Sequence, residues 1–206
     1  MHKVIIIGAG GHGKVVADAV IQSGAEVVGF LDDDLGCEGR LLLGRPWLGT
    51  LENIAAYAAQ GCRFIIAIGH NKTRKKIAEA HNVNYYTAVH PRAVIAPEVS
   101  LGAGTVVMAG AIVNAGASVG GHCILNTSCV VEHDNRLGDF VHICPKAALA
   151  GTVCVGEGVQ IGIGSAVSNN LSICGGCLIG AGAVVVRSID EPGVYAGVPA
   201  RLLRAL

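Results

Sequence analysis

The chain has 206 residues with 15 basic and 15 acidic side chains, so its formal net charge is zero and no basic block suits a nucleic-acid backbone. Hydrophobic residues make up 51% of it, too many for a disordered chain. No apolar run is long enough to span a bilayer, and the opening stretch lacks a secretory cleavage pattern, so the expected compartment is the cytoplasm.

The first half alternates strands and helices. KVIIIGAG reads as a short buried strand entering a glycine turn, and HGKVVADAVIQSG as a helix ending at Gly24. EVVGFLDDD is a second strand, LENIAAYAAQG a helix, RFIIAIG a third strand, NKTRKKIAEAHN a basic-faced helix and NYYTAVH a fourth strand. Such alternation implies a parallel sheet with helices on its faces, here a small Rossmann-like α/β domain over residues 1–88. Its loop Gly8-Ala9-Gly10-Gly11-His12-Gly13 fits G-x-G-x-x-G at a strand-to-helix junction. Those glycines let a phosphate approach backbone N–H groups. Asp32 and Asp33 end the second strand about twenty residues later, where an acid can hold a ribose hydroxyl. On these residues alone NAD is a fair ligand, although no second domain supplies hydride chemistry. Lys72, Arg74, Lys75 and Lys76 read as a solvated basic helix face rather than a phosphate clamp.

From about Ala93 the period becomes six. Stepping from Ile95 through Leu101, Val107 and onward to Val185 gives sixteen aliphatic residues without a slip. Neither a helix nor an ordinary alternating strand has that period; a hexapeptide β-helix does, with three hexads per triangular coil and about five coils. This second domain covers residues 89–190, followed by a tail over 191–206. The inward position four residues after each aliphatic takes small or apolar side chains, among them Cys123, Cys129 and Cys177; only Asn135 breaks it with an amide. With a single C-x-x-C at Cys174 and Cys177 and no second pair, the eight cysteines read as small core fillers, and no metal is expected.

Within the hexads one polar run stands out, VVEHDNRLGDF. His133 and Asp134 follow buried Val131 where a coil turns its corner, so both should face outward. A neutral imidazole with an adjacent carboxylate suits a general base, while a solvated surface corner is the plainer reading. His142 precedes buried Ile143, as a ligand contact or a corner histidine.

The hexads resemble those of the left-handed β-helix acyltransferases, and GVYAGVPARLLR looks like the tail that follows the helix in them. Taken with GAGGHG, FLDDD, AIGHNKTRKK and LNTSCVVEHDNRLGDFVHICPKAALAG, the whole chain is similar to the bacterial sugar acetyltransferases of the sialic acid O-acetyltransferase family. One branch of that family acetylates the 4-amino group of UDP-linked amino sugars. The resemblance implies a left-handed solenoid, acetyl-CoA as cosubstrate, and a homotrimer with active sites between neighbours. It implies His133 as base and Asp134 as its partner, His142 against acetyl-CoA, and Gly151 as an oxyanion N–H donor. Ile163 and Ala181 would offer backbone along the CoA channel. The front pocket passes from NAD to UDP-sugar, with Gly10, Gly11, His12, Asp32, Asp33 and Gly69 as contacts. Arg187, Arg201 and Arg204 are candidates for the CoA phosphates. Three rivals remain: acetylation of a sialic acid hydroxyl, a γ-type carbonic anhydrase with zinc on histidines, and a non-enzymatic scaffold. His122, His133 and His142 lack the close pair of the zinc enzymes.

Overall fold

A computed structural model describes residues 1–205. The front domain is a three-stranded parallel sheet. Strand β1 (Lys3–Ile7) lies at its centre, flanked by β2 (Glu26–Leu31) and the strand Arg63–Ile66. The apolar runs VIII and FII bury completely because helices α1 (Gly11–Gln22), α2 (Ile54–Ala59) and α3 (Asn71–Ala80) pack around the sheet. Helix α2 is shorter than LENIAAYAAQG suggests, since Leu51–Asn53 forms a 3₁₀ turn first. The expected fourth strand is not part of this sheet. Tyr85 makes one isolated bridge to Phe64, and the chain then leaves, so that Ala88–Val89 pairs with Val106–Val107 of the second domain.

The second domain is a parallel β-solenoid of two-residue strands on three sides. Each residue pairs with the one eighteen further on, as Ile112 does with Val130 and Ile124 with His142, so three hexads make one coil. One side has six strands from Val94–Ile95 to Val184–Val185; another has five, from Ser100–Leu101 to Ser172–Ile173. The third begins at Ala88–Val89 and is extended by Gly193–Ala196, on which Arg201–Ala205 folds back antiparallel. With Ala88–Val89 as its first strand the solenoid makes about six turns, one more than the hexads from Ile95 suggest.

Each corner requires one left-handed residue, and these recur every six positions from Glu98 to Gly182. Glycine fills many of them; Asp134 (φ 59°) and Asn170 (φ 59°) are residues that tolerate the conformation. Inside, Leu125, Ile143, Ile161 and Ile179 stack coil on coil. Cys123, Cys129 and Cys177 line this core as expected, but Cys154 is exposed, and all eight thiols are free.

Candidate active site

The polar run VVEHDNRLGDF lies at the corner after Val130–Val131. His133 and Asp134 face outward, and His133 Nδ1 lies 2.8 Å from Asp134 Oδ2. A carboxylate there receives the Nδ1 proton, which leaves Nε2 with the free lone pair. That nitrogen hangs over Gly151 on the next coil: a Cβ at 151 would lie 2.5 Å from both Nε2 and Cε1. Glycine at 151 is therefore a matter of space, and its backbone sits directly beneath the imidazole.

Asn135 explains the break in the hexad pattern. Its side chain is fully buried. Nδ2 donates to the Glu132 carbonyl (2.6 Å) and the Ala150 carbonyl (3.0 Å), and Oδ1 accepts from Val153 N–H (3.0 Å). The amide thus ties the loop that carries His133 to the loop that carries Gly151. Thr105 and Ser165 occupy the same inward position and donate to the carbonyls of Gly120 and Gly180. Thr105 also accepts from Cys123 N–H at 3.0 Å, as Asn135 does from Val153 N–H, so the amide adds to the threonine's pair only the bond to Glu132.

His142 is 8% exposed and its Nε2 lies 3.1 Å from Asn126 Nδ2. From the front domain, His12 comes to meet it, with ring centroids 6.3 Å apart. Burial pushes the pKa of each down to about 4, and the Arg74 charge adds to the effect, so both rings are neutral at pH 7. The Gly69 backbone opposes the shift at His142, although its geometry falls short of a hydrogen bond and His142 Nδ1 has no partner among the described residues. His12, Gly69 and His142 therefore converge where the two domains touch.

The glycine loop opens on a cleft of about 200 Å³ lined by Ala9, Gly10, Gly11, Lys14, Asp32, Asp34, Cys37 and Arg40. Gly13 is required by the fold, because a Cβ there would meet the Gly8 carbonyl at 2.2 Å. Gly10 and Gly11 are not: nothing lies within 4 Å of an added Cβ, and neither has positive φ. Their bareness leaves room for a ligand at the N-terminus of α1, where backbone N–H groups favour an anion. Asp32 lines the cleft but spends Oδ2 on Ala9 N–H at 2.7 Å, bracing the loop. Asp33 is placed differently, its carboxylate accepting from Leu51 N–H at 2.9 Å and facing another cavity. Lys14 and Arg40 went unread in the sequence. Lone cations outside a motif give no signal, yet they bring two positive charges to the anion end of α1.

Ile163 is 54% exposed, and Ala181 is exposed too, both at solenoid corners. Arg204 lines a cleft of about 240 Å³ with His70, Lys72 and Gln160, which Arg187 and Arg201 do not reach. Among the described residues no three metal-binding side chains cluster, and no helix is long and apolar enough to cross a membrane. One expectation fails outright. Arg74 is no part of a solvated face: it is 1% exposed, with its guanidinium donating to five acceptors.

A nucleotide-type cleft on an α/β domain, joined to a hexapeptide solenoid with a histidine–aspartate corner, defines a hexapeptide acyltransferase. Residues 3–81 match the PglD N-terminal domain family. A perosamine N-acetyltransferase variant from Caulobacter crescentus, solved with CoA and GDP-perosamine, superimposes with a TM-score of 0.92 at 39% identity, over 98% of this chain and 97% of that one. The acetyltransferase domain of PglB from Neisseria gonorrhoeae, solved with acetyl coenzyme A, gives 0.91 at 36% identity over 98% and 99%. UDP-N-acetylbacillosamine N-acetyltransferase of Bacillus subtilis is 37% identical over 116 residues, which is 52% of this chain and 52% of that protein. The chain thus spans about half the length of that curated relative. The chain belongs to the PglD-type family of sugar N-acetyltransferases, which use acetyl-CoA and act on nucleotide-linked amino sugars.

Proposed function

We propose that the protein transfers acetyl from acetyl-CoA to the 4-amino group of a UDP-linked amino sugar, with His133 as general base. The observation that carries this reading is the His133–Asp134 contact above the Gly151 backbone. As the amine attacks the thioester carbonyl, Nε2 takes its proton and Asp134 steadies the imidazolium. The Gly151 N–H lies on the same corner and stabilises the oxyanion of the tetrahedral intermediate. The proton then leaves with the CoA thiol. His142, neutral and buried beside Asn126, contacts acetyl-CoA, with the backbone of Ile163 and Ala181 continuing its channel and Arg204 near its phosphates.

The diphosphate belongs at Gly10 and Gly11, near Lys14 and Arg40, with His12 and Gly69 on the side facing the solenoid. Asp32 holds the loop, and Asp33 meets the nucleotide only from its outer rim. The UDP linkage follows the likeness to UDP-N-acetylbacillosamine N-acetyltransferase of Bacillus subtilis, and the likeness to the GDP-perosamine enzyme of Caulobacter crescentus makes GDP the alternative. The enzyme acts as a homotrimer. The outward row Val94, Ile112, Val130, Ala148, Ala166 and Val184 makes one solenoid side apolar, and His133 stands at its edge.

Incubation with acetyl-CoA and a UDP-4-amino sugar should give the N-acetyl product and free CoA. Acetylation of free sialic acid in its place would overturn the amine assignment. Calorimetry separates the nucleotides: GDP binding about tenfold tighter than UDP (a difference of about 1.4 kcal/mol) would remove the pyrimidine and leave the amine chemistry standing.

A further inference from the structure

The buried charge that this reaction leaves unused is Arg74. Among the described residues it has no carboxylate partner within salt-bridge distance, and a buried unpaired cation is costly unless its donors are all met. They are met by two separate parts of the molecule. Nη1 donates to the carbonyls of Ile68 (2.9 Å) and Gly69 (3.3 Å), in the loop that follows the strand Arg63–Ile66. Nε donates to the His122 carbonyl (2.8 Å) and Nη2 to the Phe140 carbonyl (2.7 Å). His122 and Phe140 are left-handed corners of successive coils, with φ of 54° and 59°. Nη2 also holds Asn71 Oδ1 at 2.7 Å, and Asn71 Nδ2 reaches the carbonyl of Gly158 (2.9 Å), the corner of the third coil in the same stack.

One guanidinium and one amide therefore fasten three consecutive coil corners to the Gly69 loop. The corner rings close over the joint: His122 stacks on Phe140 at 5.2 Å and meets the edge of Tyr85 at 4.4 Å. The Gly69 loop lies against His142, two residues beyond Phe140, and His142 faces His12. The loop thus belongs to the proposed acceptor side, and the corner leads within two residues to His142 on the proposed donor side.

We propose that Arg74 is a positioning residue for acetyl transfer, fixing the Gly69 loop to the His122 and Phe140 corners and so setting where the acceptor amine meets the acetyl group. The proposal rests on the N-acetyltransferase reading above. A planar fork with five N–H donors is needed because the acceptors lie on opposite sides of the group. A lysine ammonium keeps the charge but gathers three donors at one point and cannot span them.

Arg74→Lys is the test, in the full chain. Its circular dichroism should match the wild type, and its UDP and acetyl-CoA affinities should each stay within about threefold, while turnover falls about a hundredfold, the cost of an ångström-scale misplacement. Amide exchange should quicken together at 68–71 and at 140–142. Wild-type turnover in the folded variant overturns the proposal. So does a loss of turnover matched by an equal loss of UDP affinity, which would make Arg74 a binding residue. Should Arg74→Lys not fold, Asn71→Ser removes one acceptor and the third-coil link; turnover should drop about tenfold with both affinities kept, and unchanged turnover refutes the role. If the wild type acetylates no amino sugar, the functional reading fails by itself. Amide exchange then decides the clamp, and unchanged exchange at both segments in Arg74→Lys sinks it.

Discussion

His133 owes its orientation to neighbours on two different coils. Asp134, held left-handed at the corner, binds Nδ1, and Gly151 gives the other edge of the ring a place to lie. Removing the imidazole leaves the attacking amine without an acceptor except water. His133→Ala should therefore lower kcat by about 10²–10⁴ with acetyl-CoA affinity near normal, as steady-state kinetics and calorimetry would report. Wild-type turnover in that variant would make the polar run a surface corner only. Gly151→Ala attacks the same geometry from below. Its methyl would stand 2.5 Å from Nε2, so the ring must move, and kcat should fall on the order of a hundredfold with UDP affinity unchanged. A fully active alanine variant would show that the ring is not held there during turnover. The candidate base was legible because EHDN interrupts an aliphatic repeat. The spatial demand at Gly151 was not, because it comes from a ring eighteen residues away.

At the scale of the solenoid coil, the unit of stability is the ladder closed by inward side chains. Asn135 replaces a small apolar residue with an amide that makes two bonds to the next coil and one within its own. Asn135→Ala leaves two carbonyls and one N–H short of partners in a buried place, and should cost about 2–4 kcal/mol. Chemical denaturation measures this, and a loss below about 0.5 kcal/mol would mean that water replaces the amide without penalty. The step of six gave register and inward face correctly, since one aliphatic residue per hexad must point into a narrow triangular core. The corners were harder to read, because the left-handed position accepts His122, Phe140 and Thr152 as well as glycine. Helix α3 misled for a related reason. Its sequence NKTRKK looks solvated, but Arg74 is buried by carbonyls 48 and 66 residues away in the chain. Three front strands instead of four follow from the same competition, for NYYTAVH has the β-propensity of a strand and is claimed by the solenoid's first coil.

Across the whole molecule, the domain junction holds two histidines uncharged. His12 and His142 are pushed down to about 4 in the folded protein, mainly by burial, against an ordinary 6.5. Below pH 6.5 the unfolded chain takes up protons that the folded chain refuses. The histidine contribution thus lowers stability progressively from pH 6.5 to about pH 4 and levels off beneath. Urea midpoints of the wild type and of His142→Asn, compared at pH 7.5 and 5, should converge or cross as the pH falls, since the variant loses one proton of that linkage. Parallel shifts in the two proteins would mean that His142 is protonated when folded.

The same geometry bears on assembly. Of the three solenoid sides, one is covered in its early coils by the front domain, where Ala88, Val106 and Ile124 are buried against α1. The side that starts at Ser100–Leu101 presents Ser100, Ser118, Arg136, Cys154 and Ser172, a small and mostly polar row. The remaining side presents only Val94, Ile112, Val130, Ala148, Ala166 and Val184, with Val94 58% exposed. A continuous apolar row of that kind seeks a partner, and a copy of itself around a threefold axis is the closed solution. Such contact would bring a neighbour up to the corner that carries His133, only two residues past Val131. Sedimentation should therefore give three times the 20.9 kDa of one chain. Ile112→Glu places a charge in the middle of the row, one coil before the His133 corner and with no contact to it. That variant should dissociate and lose turnover together while each chain keeps its circular dichroism. A stable monomer of the wild type at micromolar concentration, or a monomeric Ile112→Glu with full activity, would detach catalysis from assembly and leave the apolar side without a role in it.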